Sequence, residues 1–188
     1  MALWVVAKPL PVLALAAWLF ARTPSRYATW IAIGLLLSAV GDVLLELGEA
    51  RFVFGMAAFA MAHAFYITAF AGRAPGFHPL LACLFAIWGL SLFARLRPGL
   101  GAMTLPVAVY ATLLMAMAWR AASCVGARGL ATRGEWAAAL GAALFALSDS
   151  LIAVDRFDGP LPAPARLAVM PLYWLGQLGI AWSARSYS

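Results

Sequence analysis

The chain of 188 residues is 65% hydrophobic and only 11% charged, and its mean hydropathy is +0.93. Soluble domains carry about 45–50% apolar and about 25% charged residues, so these values exclude a water-soluble fold and a disordered chain. The net charge of +6 does not indicate a nucleic-acid-binding protein, because the basic residues are scattered singly or in pairs between apolar runs. The composition therefore predicts a polytopic membrane protein.

Seven apolar segments follow one another along the chain, separated by short connections. They are residues 3–20, 28–47, 52–70, 80–93, 102–122, 136–154 and 167–184. A helix crosses a bilayer with about 20 apolar residues, and the range is about 17–25. We therefore predict an all-α transmembrane bundle of seven spans, formed by one integral-membrane domain over residues 1–188. An eighth span is the alternative, in the region of the fourth and fifth segments.

Charged side chains lie in the predicted connections or near segment ends, with three clear exceptions. These are Lys8, the only lysine of the chain, and the two aspartates Asp42 and Asp149. A charge inside a bilayer costs several kcal/mol unless it is paired or hydrated, so such residues are candidates for function. The alternative is structural: Lys8 extends its side chain to the membrane surface, and both carboxylates meet headgroup water at helix ends.

Polar residues from several segments fall in one half of the membrane if the seven spans alternate in direction. This half lies on the side of the N-terminus and contains Lys8, Asp42, Tyr110, Asp149, Tyr173 and Gln177, with His63 and Tyr66 deeper. The pattern predicts a polar cavity that opens to that side. A small excess of arginine on the opposite side favours an outward-facing cavity.

Two short stretches suggest an internal duplication. Gly41–Leu45, followed by Phe52, resembles Ser148–Ile152, followed by Phe157. The two stretches lie four segments apart, so both copies enter the membrane in the same direction. This spacing predicts two three-helix units joined by the fourth helix, a parallel repeat of the kind found in small transporters. The two aspartates are then pseudo-symmetric partners.

The sequence contains no Gly-x-Ser-x-Gly motif and no P-loop. Its two histidines, His63 and His78, do not provide the three or four ligands that a zinc site needs. We therefore predict no metal and no cofactor. Two classes of function remain: an enzyme that uses the two carboxylates, and a small transporter of a lipid or polar metabolite with a one-sided cavity.

Seven short motifs follow one another over nearly the whole chain. They are Lys8-Pro9-Leu10, Gly41-Asp42-x-x-Leu45, Phe52-x-x-Gly55-x-x-x-Phe59-x-x-x-His63-x-x-Tyr66, Pro106-x-x-x-Tyr110, Ser148-Asp149-Ser150-Leu151, Arg156-Phe157 and Tyr173-x-x-x-Gln177. These motifs in this order resemble the YhhN-like family of lysoplasmalogenases. Members of this family are multi-spanning membrane proteins, often described with eight spans. The resemblance gives no catalytic role to Asp155, because the family pattern has Asn there.

The resemblance implies hydrolysis of the vinyl ether of a lysophospholipid substrate, giving a fatty aldehyde and a glycerophospho-alcohol in a bacterial cell membrane. This chemistry needs a general acid, a nearby anion and a positioned water. Asp42 and Asp149 are the expected acid–base pair, with the two roles unassigned, and His63 is a candidate for orienting water or relaying a proton. The expected substrate-binding residues are Lys8 and Arg156 for the phosphate, and Tyr66, Tyr110, Tyr173 and Gln177 for the headgroup or glycerol.

Overall fold

The computed structural model describes residues 2–22, 25–74 and 76–187, and the regular structure in these ranges is helical throughout. The α-helices in these ranges are α1 (Ala2–Ala7), α2 (Leu10–Arg22), α3 (Arg26–Glu46), α4 (Phe52–Ala71), α5 (Pro79–Leu100), α6 (Thr104–Ala122), α7 (Arg133–Phe157) and α8 (Ala163–Ser183). Short 3-10 helices cover Glu49–Arg51, Gly101–Met103 and Ala184–Tyr187. The prediction of an all-α fold is confirmed for the described residues.

Each predicted apolar segment corresponds to a helix, and the first corresponds to the pair α1 and α2. The predicted connection over residues 94–101 is wrong, because α5 continues through Pro98 to Leu100. Arg95, Arg97 and Pro98 form a local sequence that is typical of a loop. Leu96 and Leu100, however, are buried against α6 and α7. Burial of these two apolar side chains favours about two more turns of helix over an exposed loop.

Side-chain caps fix where two of the helices begin. The Oγ atom of Ser25 accepts a hydrogen bond from the backbone N–H of Ala28 at 3.2 Å at the start of α3. At the start of α7, Thr132 and Glu135 each accept a hydrogen bond from the other's backbone N–H, which is a capping box. α7 therefore begins before the predicted sixth segment, and the polar residues Arg133 and Glu135 belong to its first turn.

The first membrane segment is broken in two at Lys8 and Pro9. Pro9 and Pro11 lack a backbone N–H, so two hydrogen bonds of a continuous helix are missing at this point. Trp174 of α8 donates its indole Nε1–H to the backbone carbonyl of Lys8 at 3.2 Å, and thereby provides this carbonyl at the break with a hydrogen-bond donor. Non-helical backbone at this depth is tolerated where protein side chains surround it. The break places Lys8 beside α3 and α8.

Four helical stretches in the described ranges are long and apolar enough to cross a membrane, by length and composition. They are Arg26–Glu46, Glu49–Ala71, Pro79–Ala122 and Arg133–Phe157, of which the third contains both α5 and α6. Apolar side chains such as Leu80 and Leu167 are 73% and 77% exposed, whereas Asp42 and Gln177 are buried. An apolar exterior around a polar interior is suited to lipid, and the chain is an integral membrane protein.

The bundle is packed closely on one side and loosely on the other. Between α7 and α8, a Cβ atom added to Gly141 would lie 2.7 Å from the carbonyl oxygen of Gly176, so the two backbones nearly touch. α5 lies at the periphery against α6 and the end of α7, and its buried residues are Leu96 and Leu100. The closely packed part therefore contains α3, α4, α7 and α8, and α5 flanks it.

Candidate active site

A cavity of about 80 Å³ lies inside one end of the bundle. Six residues that the sequence singles out line it: Lys8, Asp42, Tyr110, Asp149, Arg156 and Tyr173. They come from the α1–α2 break and from α3, α6, α7 and α8. The rest of the lining is mostly apolar and includes Phe59 and Met170, so the two carboxylates share a small and largely dry space.

Asp42 is held between a tyrosine and a lysine. The hydroxyl of Tyr173 donates a hydrogen bond to its Oδ2 atom at 2.7 Å, and the Lys8 Nζ atom lies 3.7 Å from its Oδ1 atom. The same ammonium donates a hydrogen bond to Glu46 Oε1 at 3.2 Å. Asp42 is only 1% exposed, so Lys8 rather than bulk water is positioned to compensate a negative charge on it.

Asp149 has different partners. The hydroxyl of Tyr110 donates a hydrogen bond to its Oδ2 atom, and the Nε2 atom of His63 lies 3.2 Å from that hydroxyl oxygen and 3.9 Å from Asp149 Oδ2. His63 is fully buried, and the aromatic rings of Tyr110 and Phe145 pack edge-on against its ring. Its Nδ1 atom has no hydrogen-bond partner in the described part of the chain. The polar neighbours of Asp149 are therefore a phenol and an imidazole.

Tyr66 and Gln177 lie behind the cavity wall and do not line the cavity. The hydroxyl of Tyr66 donates a hydrogen bond to Gln177 Oε1 at 2.8 Å, and both side chains are completely buried. The Tyr66 ring occupies the space beside Gly34, where an added Cβ atom would lie 2.2 Å from the ring. This pair joins α4 to α8, the helix that presents Tyr173 to Asp42.

A wider cavity of about 330 Å³, which we call the vestibule, adjoins the inner cavity and reaches the protein surface. It shares Lys8, Phe52 and Arg156 with the inner cavity and adds Glu49 and Asp155. Arg156 pairs with Glu49, with its NH1 atom 3.1 Å from Oε1, and its guanidinium carbon lies 3.6 Å from the centroid of the Phe52 ring. The vestibule is therefore the charged side of the cavity.

Asp155 has a structural role at the turn between α7 and α8. Its Oδ1 atom accepts a hydrogen bond from the backbone N–H of Leu161 at 2.7 Å and lies 3.4 Å from an NH2 group of Arg166. These contacts fix the connection that brings α8 back along α7.

Two acidic residues of the site are missing from the sequence prediction, Glu46 and Glu49. Glu46 lies four positions after Asp42 and therefore on the same face of α3, a spacing from which its position beside Asp42 could have been predicted. Glu49 lies in the 3-10 turn after α3, where no periodicity indicates a direction. Within residues 2–22, 25–74 and 76–187, no group of three or more His, Cys, Asp or Glu side chains is arranged to hold a metal ion.

The fold and the cavity define a helical integral membrane protein with two buried carboxylates at one end. The chain belongs to the YhhN family, whose model matches residues 3–184, and the resemblance seen in the motifs is confirmed. No solved structure matches the chain.

Curated relatives cover most of the chain. Lysoplasmalogenase TMEM86B of Homo sapiens is 43% identical over 187 residues, which is 95% of this chain and 74% of the relative. Lysoplasmalogenase TMEM86A of Bos taurus is 41% identical over 160 residues, or 84% of this chain and 65% of the relative. The lysoplasmalogenase of Mycobacterium tuberculosis is 35% identical over 169 residues, which is 85% of this chain and 60% of the relative.

Proposed function

We propose that this protein is a lysoplasmalogenase that hydrolyses the vinyl ether bond of 1-alkenyl lysophospholipids. The products are a fatty aldehyde and a glycerophospho-alcohol. The observation that carries this proposal is the 43% identity to a human lysoplasmalogenase over 95% of this chain. The cavity supports it, because two carboxylates in a mostly apolar chamber suit acid–base chemistry on a lipid.

The reaction consists of a proton transfer and the addition of water. A general acid protonates the β-carbon of the vinyl ether, which leaves a positive charge shared by the adjacent carbon and the ether oxygen. Water adds to that carbon and loses a proton to a base, and the resulting hemiacetal collapses to aldehyde and alcohol. The transition state resembles that of glycoside hydrolysis, in which two carboxyl groups divide the work.

We assign the acid to Asp149 and the base to Asp42. A cation close to a carboxyl group favours its ionised form, and Lys8 lies 3.7 Å from Asp42. Asp149 instead faces Tyr110 and His63 in a buried position, where a neutral carboxyl group avoids the cost of an unpaired charge. Asp42 then stabilises the developing positive charge and accepts the proton of the attacking water.

The other residues support this division of labour. Lys8, which Glu46 also contacts, keeps Asp42 charged, and Arg156 in the vestibule is the phosphate-binding residue. Tyr173 and Tyr110 orient the two carboxyl groups, and His63 orients Tyr110. Tyr66 and Gln177 are positioning residues that hold α8 against α4.

The seven spans and the parallel repeat belong to the same proposal, and the contacts of the two aspartates support the repeat. The first unit consists of the α1–α2 pair, α3 and α4, and the second unit consists of α6, α7 and α8. In each unit the aspartate of the second helix contacts the first helix of its own unit, through Lys8 for Asp42 and through Tyr110 for Asp149. It also contacts the third helix of the other unit, through Tyr173 for Asp42 and through His63 for Asp149. Two interlocked units related by a pseudo-two-fold axis have this pattern.

We further propose that the chain resides in a bacterial cell membrane with the vestibule at its outer face. The arginine residues at the opposite end support this orientation, since Arg120 and Arg128 bind backbone carbonyls around residues 72–76 there. With seven spans the two termini lie on opposite sides, which reporter fusions at both ends test.

The function is tested by incubating the detergent-purified protein with a lysoplasmalogen and measuring free aldehyde. In heavy water the aldehyde should carry one deuterium at the carbon next to its carbonyl group, because the acid protonates that carbon. Turnover without a sealed compartment excludes transport as the sole activity. Absence of aldehyde, together with substrate-dependent uptake into proteoliposomes, would replace the hydrolase with the transporter.

A further inference from the structure

Two apolar spaces continue from the catalytic cavity on the side of Asp149. The first, of about 30 Å³, lies between α5, α6 and α7 and shares Val107, Tyr110 and Asp149 with the cavity. The second is a groove of about 440 Å³ between α5 and α6, and it shares Phe93, Ala111 and Met115 with the first space. The cavity, the small space and the groove therefore adjoin one another in that order.

The lining of this route is almost entirely hydrocarbon. The groove contains one hydroxyl side chain, Thr112, whose Oγ1 atom already donates a hydrogen bond to the carbonyl of Ala108. The indole N–H of Trp119, at the far end, donates to the carbonyl of His78. Among the residues that the structure describes, no charged side chain lines the groove, whereas the vestibule on the other side of the cavity contains Lys8, Glu49, Asp155 and Arg156.

We propose that the alkenyl chain of the substrate lies in this α5–α6 groove, while the glycerophosphate headgroup lies in the vestibule. This inference rests on the proposed function. A lysoplasmalogen has its charges on one side of the vinyl ether and a hydrocarbon chain on the other, and the spaces around the two carboxylates show the same asymmetry. From Ala111 to Trp119 the groove follows α6 for roughly 12 Å at about 1.5 Å per residue, enough for much of a long alkyl chain.

This placement also agrees with the assignment of the acid. The carbon that receives the proton is the alkene carbon farther from the ether oxygen, which bears the rest of the hydrocarbon chain. Of the two aspartates, Asp149 lines both the cavity and the apolar space that leads to the groove. A chain in the groove therefore presents its β-carbon to Asp149 and its ether oxygen toward Asp42.

Ala111 is the residue that determines whether a long chain fits. It lines both the small space and the groove, and only a methyl group separates the α6 backbone from the passage. α5 packs loosely at the periphery of the bundle, so small separations of α5 from α6 admit the chain from the surrounding lipid. A bulky side chain at position 111 would occupy the passage between the small space and the groove.

The test compares Ala111→Phe with the wild-type protein on two substrates that differ in their chain, hexadecenyl and octenyl lysophosphatidylcholine. The ratio of kcat/KM for the long chain to that for the short chain should fall at least about tenfold in Ala111→Phe, because a displaced chain loses the burial of several methylenes. The matched control is Val109→Phe on the same helix, since Val109 is 51% exposed and lines neither space. Its ratio should match that of the wild type.

An unchanged ratio in Ala111→Phe, or an equal fall in Val109→Phe, overturns the proposal. A second measurement covers the case in which Ala111→Phe is inactive on both substrates. A lysolipid with a photoreactive group near the chain terminus should label peptides of α5 and α6 in the wild type, and excess unlabelled alkyl lysolipid should suppress that labelling. If excess unlabelled lysolipid does not reduce the labelling, the proposed chain site is contradicted. If it does reduce the labelling but the wild-type protein releases no aldehyde, only the proposed function is rejected.

Discussion

The two sides of the catalytic cavity differ in packing and in charge, although each presents one aspartate. On the α3–α8 side, Asp42 is surrounded by Lys8, Glu46 and the hydroxyl of Tyr173, in the closely packed part of the bundle. On the α6–α7 side, Asp149 adjoins apolar spaces beneath the peripheral helix α5. The same residue type is thus placed once in a charged network and once beside hydrocarbon.

This difference indicates how one cavity obtains both an acid and a base from identical side chains. Environments that favour opposite protonation states in two carboxyl groups are a common way to assign acid and base roles. In the mechanism we propose, the ammonium of Lys8 favours the charged form of Asp42, and the buried carboxyl group of Asp149, which contacts Tyr110 and His63, favours its neutral form. The experiments below test whether the two aspartates differ in this way.

The largest effect is expected from removing either carboxyl group. Asp149→Asn and Asp42→Asn should each lower kcat for aldehyde release by about 10²–10⁴-fold, because an amide keeps the shape but transfers no proton. Asp158→Asn is the control, since Asp158 pairs with Arg95 at the surface and does not line the cavity.

Azide separates the two roles, because it is a nucleophile that needs no base. Azide adds to the same carbon as water and gives an α-azido ether in place of the hemiacetal. Consumption of the vinyl ether, rather than aldehyde release, should therefore recover in part in Asp42→Asn and not at all in Asp149→Asn. Rescue of Asp149→Asn alone would exchange the two assignments, and wild-type rates in either amide variant would remove that aspartate from the mechanism.

A smaller effect is expected from the two cations, and its form differs between them. Lys8→Met should lower kcat roughly 10–100-fold with little change in KM, because Asp42 loses the charge that favours its ionised form. Lys8→Arg should recover most of this loss. Arg156→Gln should mainly raise KM, since a phosphate contact is made equally in the ground and transition states. Steady-state kinetics on both variants provides the comparison, and a pure KM effect in Lys8→Met would make Lys8 a phosphate ligand instead.

The smallest effect is expected from the two tyrosine hydroxyls. Hydrogen bonds to charged groups contribute about 1.5–3 kcal/mol and those between neutral groups about 0.5–1.5 kcal/mol. Tyr173→Phe, next to the charged Asp42, should therefore lower kcat roughly tenfold or more, and Tyr110→Phe by a few-fold, at about 1.4 kcal/mol per tenfold change. Equal losses in the two variants would contradict different charge states for the two aspartates.

The sequence was sufficient to predict the class of protein and most of the polar side chains that line the cavity. Lys8, Asp42 and Asp149 stand out because charged side chains are costly within apolar segments, and six of the nine predicted site residues line one cavity. Helix existence could be predicted from the length of the apolar runs. The end of α5 could not be predicted, because Arg95 and Pro98 are typical of a loop. Leu96 and Leu100 extend the helix because contacts with other helices bury them.

The membrane class, the helices and the candidate residues follow from the sequence alone, because they depend on local composition and on the cost of placing charge in lipid. The tertiary structure alone decided which partner each residue has. Tyr173 and Asp42 are 131 positions apart, and Tyr66 and Gln177 are 111 apart, so no local pattern predicts either hydrogen bond. The pairing of Lys8 with Asp42 and Glu46, and the apolar route beyond Asp149, likewise arise only when α1, α3, α5 and α6 pack together. Helix packing therefore gives the two aspartates their different surroundings.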